Sequence, residues 1–210
     1  MTFVYFIVAA ISLGYIGLLP HIFFRADGRR NLMWWATAAP FFVASAVLVG
    51  CFIGIWHPAY VQAIGGATTH EALAVPFAMA SVALIAYTIG THRVRLALWH
   101  QDDDAPQSIV TWGAYRHVRH PFYSAFLLAL AGVAIGCPHP WTLGCLGYAL
   151  LMLNHTARNE ERKLADSAQG AQYRAYMART GRFVPPMHGE RAPVVPIDAD
   201  GDDPVTLGAE

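Results

Sequence analysis

Long uncharged apolar runs dominate the chain and predict its elements. Residues 2–24, 32–56 and 73–90 contain no Asp, Glu, Lys or Arg. A helix rises about 1.5 Å per residue and a hydrocarbon core is about 30 Å thick, so about 20 such residues span it. A fourth uncharged run, 122–153, is too long for one crossing. Gly136, Pro138 and Pro140 interrupt it, and proline lacks the amide donor that a helix interior needs. The expectation is two short helices, 122–136 and 141 to about 157, joined by a tight turn at Cys137-Pro138-His139-Pro140. The expected fold class is an all-α integral membrane protein with five transmembrane helices. The last two form a short hairpin, and a cytosolic C-terminal helical segment follows.

The basic residues orient these spans. Arg25, Arg29 and Arg30 follow the first, and Arg93, Arg95, Arg116 and Arg119 follow the third. The other seven, Arg158, Arg162, Lys163, Arg174, Arg179, Arg182 and Arg191, all follow the fifth. With the N-terminus outside, five spans place every Lys and Arg in the cytoplasm. Merging the last two helices would leave seven of them outside. The first span is not expected to be a cleaved signal peptide, because no basic region precedes it and no clear small-residue cleavage site follows. Pro20, Pro40 and Pro76 lie within or beside spans, where neighbouring helices can satisfy the carbonyls they free. Gly50-x-x-x-Gly54 and Gly132-x-x-x-Gly136 have the small-residue spacing of close helix packing.

Composition strengthens this picture. Apolar residues make up 55% and charged residues 13% of the 210, against about 25% charged in an ordinary soluble domain. A net charge of zero argues against a nucleic-acid partner, which would need a basic excess. Three irregularly spaced cysteines fit neither a disulfide framework nor a cysteine zinc site. Cys51 and Cys145 read as small core residues, and Cys137 lies in the external turn with no evident partner. His57, His70 and His139 lack a metal-ligand spacing, so no metal is expected. Residues 1–185 read as one domain, with 186–210 a disordered tail rich in Pro, Asp and Gly. An alanine-rich chain with short loops points to a prokaryotic inner membrane.

The chemistry concentrates in two polar segments on the cytoplasmic side. In the first, Arg116, His117, Arg119 and His120 crowd before a span, flanked by Tyr115 and Tyr123. Pro121 takes the position favoured in a first helical turn. The amides behind it carry the positive end of the helix dipole, which favours an anion. In the second, Asn154, Arg158 and Glu161 share a helical face by spacing, beside a second carboxylate, Glu160. Carboxylates near a helix C-terminus oppose its dipole, which suggests that one faces inward to bind a cation. The hairpin returns both segments to one place. An anion seat then faces a cation seat, and a zwitterion with an amino acid moiety fits between them.

These residues also carry a resemblance. Val110-Thr-x-Gly-x-Tyr115-Arg-x-x-Arg119-His-Pro-x-Tyr123 resembles the signature of the isoprenylcysteine carboxyl methyltransferase family and its phospholipid N-methyltransferase relatives. Glu160-Glu-x-x-Leu164, Gly170-x-x-Tyr173-x-x-Tyr176 and Arg182-Phe-x-Pro185 resemble that family's second block. The resemblance covers 109–185 and implies a membrane methyltransferase that binds S-adenosylmethionine in a cytosol-facing pocket. It implies cofactor contacts from Tyr115, Arg119, His120, Pro121 and Tyr123, with Glu161 or Glu160 opposite and Gly113 allowing close backbone approach. Arg119 and His120 are expected to take the methionine carboxylate, and Glu161 the ammonium. Arg158 is the candidate for orienting an anionic acceptor, and His92 for a base. The acceptor is expected to be a lipophilic or small molecule, and lipids the other partners. Ala114 and Gln169 depart from the family's common proline and phenylalanine. Leu98-Trp99 runs straight into Gln101-Asp-Asp-Asp104, a departure in a region that would shape the acceptor site. Two other readings remain: an NADPH-dependent reductase of the sterol reductase type, and a non-catalytic membrane protein that keeps the fold.

Overall fold

The computed structural model describes residues 1–17, 23–24, 27–91 and 109–186. His92, the Gln101–Asp104 run and the tail beyond Pro186 lie outside the described residues. Among the described residues are six α-helices: α1 (Phe3–Gly17), α2 (Leu32–Phe52), α3 (Gly66–Thr91), α4 (Pro121–Gly136), α5 (Pro140–Ala165) and α6 (Gly170–Arg179). No strand occurs beyond isolated bridges among them. By length and composition, α2 and α3 are able to cross a membrane, while α1 and α4 are apolar but shorter.

The interrupted run folds as its breakers dictate. α4 ends at Gly136, and α5 opens with Pro140 in its first turn. His139 Nδ1 accepts from the Trp141 amide at 3.3 Å, and Thr142 Oγ1 accepts from the His139 amide at 3.1 Å. These bonds satisfy amides that a helix start leaves orphaned. α5 then continues beyond 157 to Ala165 in one piece, because the Glu, Arg and Lys of its second half are good helix formers.

α4 is the central element. Twelve of its sixteen residues are buried, and α3, α5, α1 and α2 all pack around it, α3 most extensively. Surrounded by protein, it needs no lipid-facing surface. The outer helices carry that surface instead: Val4 on α1, Phe42 on α2, Met79 on α3 and Leu151 on α5 are all exposed. Large apolar side chains turned outward in this way mark a face that meets lipid or another protein.

Packing details sort the sequence expectations. Pro40 lies inside α2 and cannot donate to the Ala36 carbonyl; Tyr148 of α5 donates its hydroxyl there instead, at 3.2 Å. Gly132 meets α3 closely, with a Cβ built there 3.3 Å from the Ala74 carbonyl and the Ala78 amide. At Gly136 a Cβ would overlap the Tyr5 ring. The Gly50–Gly54 pair does not mediate helix pairing. Gly50 lies under the Trp56 ring, and Gly54, at φ +83°, turns the chain after α2. α3 begins at Gly66 rather than near 73, so His70 and Glu71 belong to a helix and not to a connection. Glu71 is buried and accepts from the Thr2 amide at 2.9 Å and the Thr2 hydroxyl at 2.5 Å. Those bonds offset the desolvation of its carboxylate.

Candidate functional site

The start of α4 is joined to the segment that follows α6. Val118 and Gly181 form a parallel bridge. The Arg119 amide donates to the Gly181 carbonyl at 2.9 Å, and the His120 amide to the Arg182 carbonyl at 3.1 Å. The Ser124 hydroxyl adds a bond to the Phe183 carbonyl at 2.8 Å. Residues 180–183 therefore lie as a strap across the N-terminal end of α4, where polar backbone would otherwise be left unpaired. α6 backs the strap through Tyr173 and Tyr176, both buried. The Tyr176 hydroxyl donates to the Tyr115 carbonyl at 2.6 Å.

Glu161 is the electrostatic centre of this junction. Its side chain is only 7% exposed. Oε1 accepts from Arg119 Nε at 2.8 Å, and Oε2 accepts from the terminal amino group Nη2 of Arg182 at 2.5 Å. Arg182 Nε bonds both oxygens at 3.1 Å, and its other amino group reaches Asn154 Oδ1 at 2.7 Å. Arg119 directs Nη1 at the Met177 and Thr180 carbonyls near the end of α6. Burial by itself would raise the Glu161 pKa; His120, Arg182 and Arg119 outweigh it and hold the carboxyl well below the usual range. Glu161 is therefore ionised at physiological pH, and the bond to it raises Arg182 in turn.

Glu160 has a different environment. Its side chain is 37% exposed. The Tyr123 hydroxyl donates to Oε1 at 2.8 Å, and His120 Nδ1 stands 3.4 Å from Oε2. His120 Nε2 faces Glu161 Oε1 at 3.3 Å without hydrogen-bond geometry and is buried. The His120 and Tyr123 rings are parallel, with centroids 5.3 Å apart and planes within 2°. Phe183 meets both edge-on. The result is a partly solvent-exposed carboxylate beside the Tyr123 and His120 rings, an arrangement that attracts cations.

The other expected residues are distributed around this core. Pro121 is in the first turn of α4 and buried. Tyr115 lies in a short 3-10 turn, 113–116, and burial, then the nearby Tyr176 and Glu160, raise its hydroxyl pKa. Arg116 in the same turn has a buried Nε with no hydrogen-bond partner among the described residues. Arg158 is exposed, because the inward face of α5 passes through Leu153, Ala157 and Glu161. The helical spacing that set Arg158 beside Glu161 placed it on the rim of that face. The close approach that Gly113 permits is to Thr91, at the end of α3: its φ is +59°, and a Cβ would overlap the Thr91 side chain. Thr91 Oγ1 accepts the Ala114 amide at 3.2 Å, which ties the turn to α3. Gly113→Ala should lower stability by at least about 1 kcal/mol, since a left-handed backbone alone costs an L-residue that much. A thermal melt in detergent that matches the wild type would refute this.

Sequence reasoning gave no role to Arg182, Phe183, Ser124 or Thr180. The Arg-Phe-x-Pro element was the available signal for the first two. Arg182 pairs through its side chain with Glu161 and Asn154 on α5, and 182–183 pair through backbone carbonyls with His120 and Ser124 at the start of α4, partnerships that spacing alone could not give.

Comparison with known families matches part of this region. Residues 97–166 match the model of the Isoprenylcysteine carboxyl methyltransferase (ICMT) family, which supports the family assignment. No curated protein and no solved structure matches the chain.

Proposed function

We propose that this chain, whose residues 97–166 match the isoprenylcysteine carboxyl methyltransferase family, transfers a methyl group from S-adenosylmethionine to a lipophilic or small acceptor. The observation that carries the reading is the division of labour between adjacent carboxylates. Glu161 is bonded by both Arg119 and Arg182, whereas Glu160 stays partly exposed beside Tyr123 and His120. A nicotinamide dinucleotide brings phosphates, which such a carboxylate repels. An amino acid moiety with a neighbouring sulfonium brings two cations, which a carboxylate and aromatic faces attract.

On this reading Glu160 receives the ammonium, with Tyr123 and His120 fixing its orientation. The paired arginines revise the expected division of the site: Arg119 and Glu161 hold the frame, and Glu161 is not the ammonium seat. His120, Tyr123, Tyr115 and the first turn of α4 at Pro121 form the rest of the wall, and Gly113 keeps the Tyr115 turn against α3. The bound cofactor would supply a sulfonium-activated methyl group. The protein's share of the acceleration is then alignment of donor and acceptor. Arg158 orients an anionic acceptor at the exposed rim. His92 is the base for an acceptor that must lose a proton.

The same reading sets the chain in a membrane with five spans, the N-terminus outside and this site at the cytosolic face of a prokaryotic inner membrane. Three features support it: the placement of Lys and Arg, the outward apolar side chains of α1, α2, α3 and α5, and the burial of the short α4 among them. Calorimetric titration of the detergent-purified protein tests the cofactor. S-adenosylmethionine should bind at micromolar concentration and NADPH should not. Binding of NADPH alone would transfer the site to a reductase, and binding of neither would remove the catalytic reading.

A further inference from the structure

Ahead of α2 the chain forms a small aromatic hook. Phe24 and Arg30 make an antiparallel bridge, and the Asn31 amide donates to the Phe23 carbonyl at 2.9 Å. Gly28, at φ +77°, supplies the left-handed residue that this reversal needs. Asn31 Oδ1 then caps α2 by accepting from the Trp34 amide at 3.2 Å. Phe23 stacks on Trp35 with ring centroids 5.4 Å apart, and meets the Trp34 ring edge-on at 4.8 Å. A cavity of about 390 Å³ lies against this cluster, lined by Phe23, Phe24, Arg30 and Trp35. Three of those residues are aromatic and the fourth carries a guanidinium. Asp27 does not neutralise it. The Asp27 carboxylate serves Arg29 instead, whose amide donates to Oδ1 at 2.9 Å and whose Nε stands 3.7 Å from Oδ2. The Arg30 guanidinium has no hydrogen-bond or ion-pair partner among the described residues.

The hook lies at the same end of the bundle as the Glu160–Glu161 pair. Beyond the other end of α2, the Trp56 and His139 rings are 6.0 Å apart and the Ala59 amide bonds the Pro138 carbonyl at 2.7 Å. Phe24, Leu32 and Trp35 are exposed at the hook, and aromatic and basic residues at the end of a span mark the depth of lipid headgroups. From this geometry we infer that the cavity holds an anionic phospholipid, with its phosphate on Arg30 and an acyl chain along Phe23, Phe24 and Trp35. Charge selects the headgroup. Residues 25–30 carry three arginines and one aspartate, and no described acidic side chain lines the cavity to receive the ammonium of a zwitterionic lipid. A guanidinium forks onto phosphate oxygens, and the ring faces offer an apolar wall that a free phosphate would leave unused. The inference rests on the membrane placement proposed above and is independent of methyl transfer.

Tryptophan quenching by lipids with brominated chains tests it on the intact protein, purified in detergent and stripped of lipid. Phosphatidylglycerol should quench saturably at about fivefold lower concentration than phosphatidylcholine, the effect of one arginine near an anionic headgroup. Arg30→Gln should abolish that preference, and Arg29→Gln, whose side chain is already paired, should keep it. Trp35→Phe should lose the saturable quenching while native mass spectrometry still shows one bound phosphatidylglycerol. Glycerol phosphate without chains should not compete. Equal quenching by the two lipids in the wild type, preference for phosphatidylcholine, competition by glycerol phosphate, or an unchanged preference in Arg30→Gln would each overturn the proposal. The wild-type comparison of headgroups stands even if a variant misfolds. Arg30→Gln should also bind S-adenosylmethionine as the wild type does, and a parallel loss would assign Arg30 to the other site. Protein that stays in solution without detergent would overturn the membrane placement and this site together, whereas equal quenching of a detergent-dependent protein would overturn this site alone.

Discussion

Replacing Glu161 with alanine is expected to lower stability by about 3–5 kcal/mol, the range seen when one member of a buried ion pair is removed. Two guanidinium groups depend on this carboxylate. Arg119 comes from the start of α4 and Arg182 from the strap, and both bond Glu161 directly. Without it, two cations face each other in a space that is nearly closed to water, and each must be rehydrated or displaced. The strap loses its ion pair at Arg182 and keeps only its backbone bonds, the Arg119–Thr180 and Ser124–Phe183 bonds and the packing of the Phe183 ring. Trypsin should therefore cut at Arg179 or Arg182 faster in Glu161→Ala than in the wild type, and the detergent melting temperature should fall. Glu161→Gln keeps the shape but not the charge and should show a smaller effect in the same direction. Unchanged proteolysis and melting in both variants would show that the pairing is ornamental.

Glu160→Gln is expected to act in the opposite manner, with little change in stability and a clear loss of cofactor affinity. A hydrogen bond to a charged group contributes about 1.5–3 kcal/mol. Glu160 is 37% exposed, and solvent screens such a pair, so the lower end of that range applies: roughly a tenfold weaker S-adenosylmethionine association. The glutamine still accepts from the Tyr123 hydroxyl, so the local packing survives. Calorimetry on Glu160→Gln, with the melting temperature measured alongside, separates lost contact from lost fold. Wild-type affinity in this variant would move the ammonium seat away from Glu160. A fall in affinity only in parallel with a fall in melting temperature would assign Glu160 to the frame beside Glu161.

The adjacency of these two glutamates shows how far a sequence can be read. Their presence, the basic cluster before α4 and the return of the hairpin that joins them all follow from local pattern. Apolar runs cannot expose themselves to water, and Pro138 and Pro140 cannot sit inside a helix. α4, α5 and the turn between them were therefore determined by sequence, as was the candidate site's location at the ends of that hairpin. The family resemblance was read over 109–185, and the family model matches the part of it up to 166.

Which glutamate pairs with the arginines was decided only by tertiary structure. Glu160 and Glu161 are neighbours in sequence, but about 100° of helical rotation separates successive side chains. The face of α5 that turns inward depends on what α4 and α6 present to it. Arg182 selects Glu161 from far along the chain, and Asn154 joins from two turns earlier on the same helix. Arg158 is left at the rim by the same rotation. Local pattern specifies elements through backbone geometry and the cost of burying polar groups. Partnerships between distant charges depend on how those elements pack.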